Sequence, residues 1–277
     1  MEKLQLETYR FEMSFKKLSA SIEKRNSNLC IGLDPAVEKL PEFLSEYEDS
    51  VLEFNTRIIE ATQDVACAYK LNTAFYEALG EKGWLTFGET IARIPDDVYV
   101  IADCKRSDVG NSAKQYAQTF FDYFEVDAAT VNPYMGYDSL EPFLSYKGKD
   151  VFALALTSNR GARDFQLLEI GGKRLYEVVL EKLCEWNTNG NIGAVVGATQ
   201  GDHLARIRKS YPQIPLLVPG VGAQGGSVEE VAAAAAGEGA PVIVNVSRDI
   251  IFAGFDENFA DKVREKAFYY NALLKGS

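Results

Sequence analysis

The chain is short of histidine, of paired cysteines, of long apolar runs and of positive charge. Its one histidine, His203, leaves almost no room for a histidine-based catalytic triad or a multi-histidine metal site. Four cysteines (Cys30, Cys67, Cys104 and Cys184) form no C-x-x-C pair, and the first three lie in or beside apolar, strand-like runs. That pattern reads as reduced, buried thiols in a reducing compartment. No stretch approaches the roughly eighteen apolar residues of a membrane helix. The opening MEKLQLETYRFEM has no apolar core of a signal peptide, so the expected location is the cytoplasm. Lys and Arg number 29 against 40 Asp and Glu, a net charge of -11, with a pI near 4.8. Such a surface repels nucleic acid and anionic membranes. A small anionic ligand would therefore need a local basic pocket set into an acidic exterior.

What is present is ordinary globular material: 277 residues, 47% hydrophobic, enough for a large core. Eight short apolar runs recur along it: 29–33, 66–71, 98–102, 128–131, 151–156, 192–196, 216–218 and 242–246. They are continuous rather than alternating, which suits parallel strands buried on both faces. Between them, 41–62, 107–124, 174–186, 227–236 and 258–274 read as helices, with one more at 13–25 before the first strand. Eight β–α units predict an α/β fold, a TIM (β/α)8 barrel with an extra N-terminal helix. One domain over 1–277 is expected, with 1–25 as its N-terminal extension. A Rossmann-like sheet is the alternative, but no G-x-G-x-x-G follows the first run, where Gly32 stands alone.

In such a barrel the functional residues collect where strands end. Asp34 ends the first run, Lys70 and Asn72 the second, Asp103 and Lys105 the third, and Asn132 the fourth. Thr157 and Ser158 end the fifth, and Ser247 and Arg248 the eighth. Asp103 and Lys105 are two apart, so an extended backbone sends both to one face, with Cys104 and Arg106 on the other. In isolation this could be a solvated strand end. With Lys70 and Asp34 arriving from neighbouring strands, it becomes an alternating charge array, the condition under which buried charges persist. After the seventh run, PGVGAQGG (219–226) has the glycines that let backbone N–H groups approach a phosphate, and Gly222 lies within it. Arg248 adds a planar fork suited to phosphate oxygens. Together these supply the basic pocket that the acidic surface requires.

Taken in order, these segments resemble the orotidine 5'-phosphate decarboxylases. ADCKRSDVGNSA (102–113) is similar to the family's D-x-K-x-x-D signature, and YKLN (69–72) to its second-strand lysine segment. VNPYMGYDSLEPF (131–143) and LTSNRGA (156–162) are similar to the longer bacterial, type 2 branch. The resemblance implies decarboxylation of orotidine 5'-monophosphate to uridine 5'-monophosphate, with no metal and no organic cofactor. It makes Lys105 the proton donor to C6 and Asp103 the carboxylate facing the departing one. Lys70 and Asp34 would contact the ribose, Ser158 the pyrimidine, and Gln224 with Arg248 the phosphate. Asn72 and Gly222 join the substrate-binding set. Asp108 would reach into a partner's site, implying a homodimer with shared active sites. DVGNS (108–112) departs from the proline and threonine of many members, which bears on the detail of that contact.

The chemistry asks for such residues. Losing carbon dioxide from C6 leaves a vinyl carbanion with no conjugated carbonyl to absorb the charge. A cation must already stand beside C6, and carboxylates beside an ammonium favour its charged form. Two other readings fit parts of the pattern. A magnesium-dependent sugar-phosphate enzyme of the same superfamily would carry a metal-binding glutamate where Lys70 stands. A non-catalytic nucleotide-binding barrel would have no use for a buried charge array. The roles of Arg160 and Arg163 stay open between the mouth and a solvated loop.

Overall fold

Small, aliphatic and β-branched residues dominate the eight apolar runs, and such side chains fit strands covered on both faces. In a computed structural model, which describes residues 14–222, 226, 228–236 and 239–275, every run forms a strand. The strands are β1 (Leu29–Gly32), β2 (Ala68–Asn72), β3 (Tyr99–Arg106), β4 (Ala128–Val131), β5 (Asp150–Leu156), β6 (Ile192–Val196), β7 (Leu216–Pro219) and β8 (Val242–Val246). Among the described residues all eight run parallel in chain order, and β8 pairs back to β1, closing the expected barrel.

The helices are α1 (Lys16–Arg25), α2 (Ser50–Thr62), α3 (Thr73–Glu77), α4 (Gly80–Arg93), α5 (Gly110–Gln118) and α6 (Tyr137–Leu144). After them come α7 (Ala162–Phe165), α8 (Leu175–Trp186), α9 (Gly201–Ser210), α10 (Val228–Ala236), α11 (Arg248–Ile251) and α12 (Phe259–Leu274). Two expected helices break where local chemistry competes. The 41–62 segment becomes a short 3-10 turn and then α2, because the Asp49 carboxylate accepts the N–H groups of Val51 and Leu52 and starts a new helix. The 107–124 segment ends α5 in a π-helical turn (Thr119–Tyr123) that buries Phe120 and Phe121. Helix α4 lies outside the expected helices; its three glycines lower helix propensity. One of them is required by packing: a Cβ on Gly83 would stand 1.8 Å from the Tyr76 carbonyl oxygen.

Alternate strand residues point inward. Cys30, Ala68, Ile101, Ala128, Phe152, Val195, Leu217 and Ile243 fill the barrel, and the opposite phase packs on the helices. Helix α1 covers the N-terminal end. The Phe15 ring meets Phe152 edge-on with centroids 5.4 Å apart, Leu18 is fully buried, and Ser21 Oγ donates to the Cys67 carbonyl at 2.6 Å. No helix among the described residues is long and apolar enough to cross a membrane.

Beneath this plug sits Asp150, buried at the start of β5, accepting hydrogen bonds from Tyr99 Oη at 2.7 Å and from the Phe15 N–H at 3.2 Å. Burial pushes its carboxyl up to about 6, against the two hydrogen bonds, which favour the ionised form. A carboxyl raised in the folded state holds its proton more tightly there than in the unfolded chain. Its contribution to stability is therefore present below the ordinary value of 3.8 and lost as pH rises through about 6. Asp150→Asn, which cannot titrate, should gain stability relative to the wild type as pH rises from about 4 to about 7. Urea unfolding of both proteins across that range measures it, and a pH-independent difference would remove Asp150 as the titrating group.

Candidate active site

The C-terminal mouth of the barrel holds a cavity of about 540 Å³. Its polar lining comes from successive strand ends: Asp34 after β1, Lys70 and Asn72 on β2, Asp103 and Lys105 on β3, Thr130 on β4, Thr157, Ser158 and Asn159 after β5, Asn245 on β8, then Ser247 and Arg248. Leu154, Val195 and Leu217 form an apolar wall on the neighbouring strands. Inward phase explains four of this set. Lys70 continues the phase of Ala68, Asp103 that of Ile101, Thr130 that of Ala128, and Asn245 that of Ile243.

Asp103 is the centre of the charged array. Its Oδ2 accepts from Lys70 Nζ at 2.8 Å, and its Oδ1 accepts from Lys105 Nζ at 2.6 Å and from Thr130 Oγ1 at 2.9 Å. Asp34 Oδ1 lies 3.8 Å from Lys70 Nζ and accepts the Asn72 N–H at 3.3 Å. Burial alone would raise the Asp103 carboxyl, but Lys70 and Lys105 overcome it and hold the group well below the usual carboxylate range. Burial likewise opposes the Lys70 charge, and Asp103 and Asp34 reverse that, raising its pKa. Both groups are thereby kept ionised in a nearly dry setting. Lys70 is 3% exposed, whereas the Lys105 side chain is 47% exposed and faces the cavity. The lysine with room to meet a ligand is therefore Lys105.

Lys105 reaches Asp103 by a route other than regular alternation. Pairing of β3 with β4 jumps from Ala102–Ala129 to Arg106–Val131, so four steps along β3 face two along β4. Within that bulge Lys105 takes φ +46°, a left-handed conformation uncommon for a side chain of its size. The shared face of Asp103 and Lys105 is as expected, but its cause is a bulge and not an extended strand. Cys104 packs outward, its Sγ 3.3 Å from the Thr130 carbonyl, and Arg106 pairs with Glu77 outside the cavity under Tyr116 and Phe120.

At the other side of the cavity, Gly220, Val221 and Arg248 form the wall expected to meet phosphate. Gly222 has φ +77°, and a Cβ there would stand 2.6 Å from Tyr270 Oη, so conformation and packing both require glycine. It lies just past the lining residues. Gln224 lies outside the described residues. Ser158 is held close to β6 because Gly197 has no Cβ; one would stand 2.6 Å from the Ser158 nitrogen. Gly32 plays the same part between Asp34 and Ser247, where a Cβ would meet Ser247 Cβ at 2.7 Å.

Several sequence candidates fall elsewhere. The Asp108 carboxylate accepts its neighbour's N–H, from Val109 at 2.8 Å, and does not line the cavity. Asn132 turns away to accept the Tyr134 N–H at 3.1 Å. Arg160 and Arg163 are exposed and off the cavity wall. His203 is also remote, its ring nitrogens within hydrogen-bond reach of Arg174 and Tyr176, and burial with Arg174 and Arg206 lowers its pKa. Besides Asn159 after β5, Thr130 and Asn245 are the polar lining residues that strand-end reasoning passes over. Their signal is a polar residue in inward phase within an otherwise apolar strand.

Comparison with known proteins bears on this arrangement. The model of the orotidine 5'-phosphate decarboxylase / HUMPS family matches residues 27–263. An orotidine 5'-phosphate decarboxylase of Phocaeicola vulgatus is 49% identical over 267 residues, covering 95% of this chain and 98% of the relative. One from Herpetosiphon aurantiacus is 49% identical over 257 residues, with 92% and 95% covered. Among solved structures, the OMP decarboxylase of Leishmania donovani superposes with a TM-score of 0.80 at 36% identity, covering 95% of this chain and 99% of its own. A barrel whose mouth holds the Lys70–Asp103–Lys105 array, matched at this identity over nearly its whole length, belongs to the orotidine 5'-phosphate decarboxylase family.

Proposed function

We propose that Lys105 carries the reaction, stabilising charge at C6 and returning the proton. The chain is a carboxy-lyase that converts orotidine 5'-monophosphate to uridine 5'-monophosphate, a step of pyrimidine biosynthesis. The observation behind the assignment to Lys105 is its position: a cavity-facing ammonium 2.6 Å from a carboxylate that Lys70 anchors from behind. In this reading the bond from C6 to the carboxylate breaks and its electron pair stays on C6. Carbon dioxide leaves, and the proton on Lys105 Nζ moves to C6. Solvent then returns a proton to the lysine. The ammonium offsets the developing negative charge in a preorganised, largely desolvated site, where such interactions are strongest. Asp103 has a second part: its ionised oxygen beside the substrate carboxylate adds repulsion that eases as carbon dioxide departs.

Arg248 and the backbone at Gly220–Gly222 are assigned to the phosphate, with Gln224 as the partner implied by resemblance. Ser158 is assigned to the pyrimidine, and Asp34, Lys70 and Asn72 to the ribose. Phosphate is remote from the reacting bond, yet its binding energy can drive assembly of the charged array around the ring. The assembly in this reading is a homodimer with Asp108 completing the partner's site. Support comes from exposed apolar side chains in the segments that follow β3, β4 and β5: Val109, Met135, Phe165 and Tyr134, the last 81% exposed. The proposed location is the cytoplasm, supported by the buried unpaired thiols of Cys30, Cys67 and Cys104.

Three outcomes test these assignments. Lys105→Ala should fold normally and lose at least about a thousandfold in kcat, followed by the absorbance change of orotidine monophosphate with and without chelator. Near-normal turnover would take Lys105 out of the mechanism, and loss of wild-type activity to the chelator would favour a metal enzyme. Arg248→Ala should weaken uridine monophosphate by roughly ten- to a hundredfold and uridine hardly at all; equal effects in calorimetry would place Arg248 elsewhere. Refolding a mixture of Lys105→Ala and Asp108→Asn proteins should restore about a quarter of wild-type activity if the site is shared across a twofold dimer. A mixture as inactive as its parents would put Asp108 in its own chain's site, and a fully active Asp108→Asn parent would put it in none.

A further inference from the structure

We infer that Thr130 is a positioning residue for the decarboxylation, setting Lys105 and Asp103 relative to each other through a single buried hydroxyl. The inference rests on the reading that Lys105 carries the reaction. Thr130 lies on β4, is 1% exposed, and touches the cavity wall at the foot of the charged array. Its Oγ1 donates to Asp103 Oδ1 at 2.9 Å and accepts the backbone N–H of Lys105 at 3.0 Å. The same Oδ1 accepts the Lys105 ammonium at 2.6 Å. The result is a closed ring: Lys105 backbone to Thr130 hydroxyl, hydroxyl to Asp103 carboxylate, carboxylate to Lys105 ammonium.

The bulge explains why a hydroxyl is needed there. Between Ala102 and Arg106, β3 leaves its register with β4, so the Lys105 N–H falls in the unpaired stretch of that ladder. A buried N–H without an acceptor is costly. The Lys105 conformation, φ +46°, adds a further cost for a residue with a Cβ. Thr130 Oγ1 satisfies the orphan N–H and so holds the bulge. Its one proton is then directed to the carboxylate. Rotation of the hydroxyl is thereby fixed at both ends, and with it the distance between the backbone of the reacting lysine and the anion that orients its ammonium. Valine has the same shape and neither function, whereas serine retains both.

The test is a steady-state comparison of Thr130→Val and Thr130→Ser with the wild type, with Lys105→Ala alongside. Thr130→Val should lower kcat by roughly ten- to a hundredfold while KM moves less than about threefold. Thr130→Ser should stay within about threefold of the wild type. A merely structural, shape-filling role would give the opposite order, valine active and serine impaired. Valine as active as the wild type, or serine as impaired as valine, overturns the inference. Should the valine protein fail to show a cooperative melt, Thr130→Ala against Thr130→Ser reads the same contrast. The two readings separate cleanly. An active Lys105→Ala removes the role of Lys105, whereas an inactive Lys105→Ala beside a fully active Thr130→Val removes only that of Thr130.

Discussion

Everything at the mouth of this barrel is arranged around one carboxylate. Asp103 accepts two ammonium groups and a hydroxyl on its two oxygens while almost removed from water. Its buried pair, Lys70 with Asp103, is stable only if both members are present, since removing one partner of such a pair costs about 3–5 kcal/mol. That constraint reaches outward. Lys70 has to come up β2 in inward phase, and Asp34 has to stand behind it. Gly32 has to lack a side chain so that Asp34 and Ser247 can approach. The bulge in β3 then brings Lys105 onto the same oxygen that Thr130 holds.

The two ends of the barrel treat buried charge in opposite ways. At the mouth, cations overcome the burial of Asp103 and keep it ionised. At the plugged end, Asp150 has only neutral donors, Tyr99 and Phe15, and burial prevails, lifting its carboxyl to about 6. The same residue type in the same barrel thus shifts in opposite directions, because cations contact Asp103 directly while Asp150 is hydrogen-bonded by neutral donors. The end with the cationic partners is the one open to a ligand. Lys70, Lys105 and Arg248 outnumber Asp34 and Asp103 in the cavity lining, so the cavity carries net positive charge on a chain of net charge -11.

Legibility in the sequence follows the range of the interaction that decides each feature. All eight strands were marked by their own apolar runs, because burial on both faces leaves a local imprint. Helix α4 is masked by three glycines of low helix propensity, of which Gly83 is explained by its approach to the Tyr76 carbonyl. Asn132 stands at a strand end by position, but its side chain is used within its own turn. Thr130 sits two residues earlier, in the phase that faces the cavity, and its value appears only when β3 is laid beside it.

By itself the sequence determined the barrel, the strand ends that carry polar residues and, through resemblance, the family's reaction; these depend on periodicity and on order along the chain. It also determined that Asp103 and Lys105 would share a side, though for a reason that proved different. The tertiary structure decided which lysine is enclosed and which is open, how a left-handed residue brings Lys105 to Asp103, and that Arg160, Arg163 and His203 stay off the cavity. Those outcomes depend on hydrogen bonds between strands far apart in sequence, and no local pattern encodes a distance of that kind.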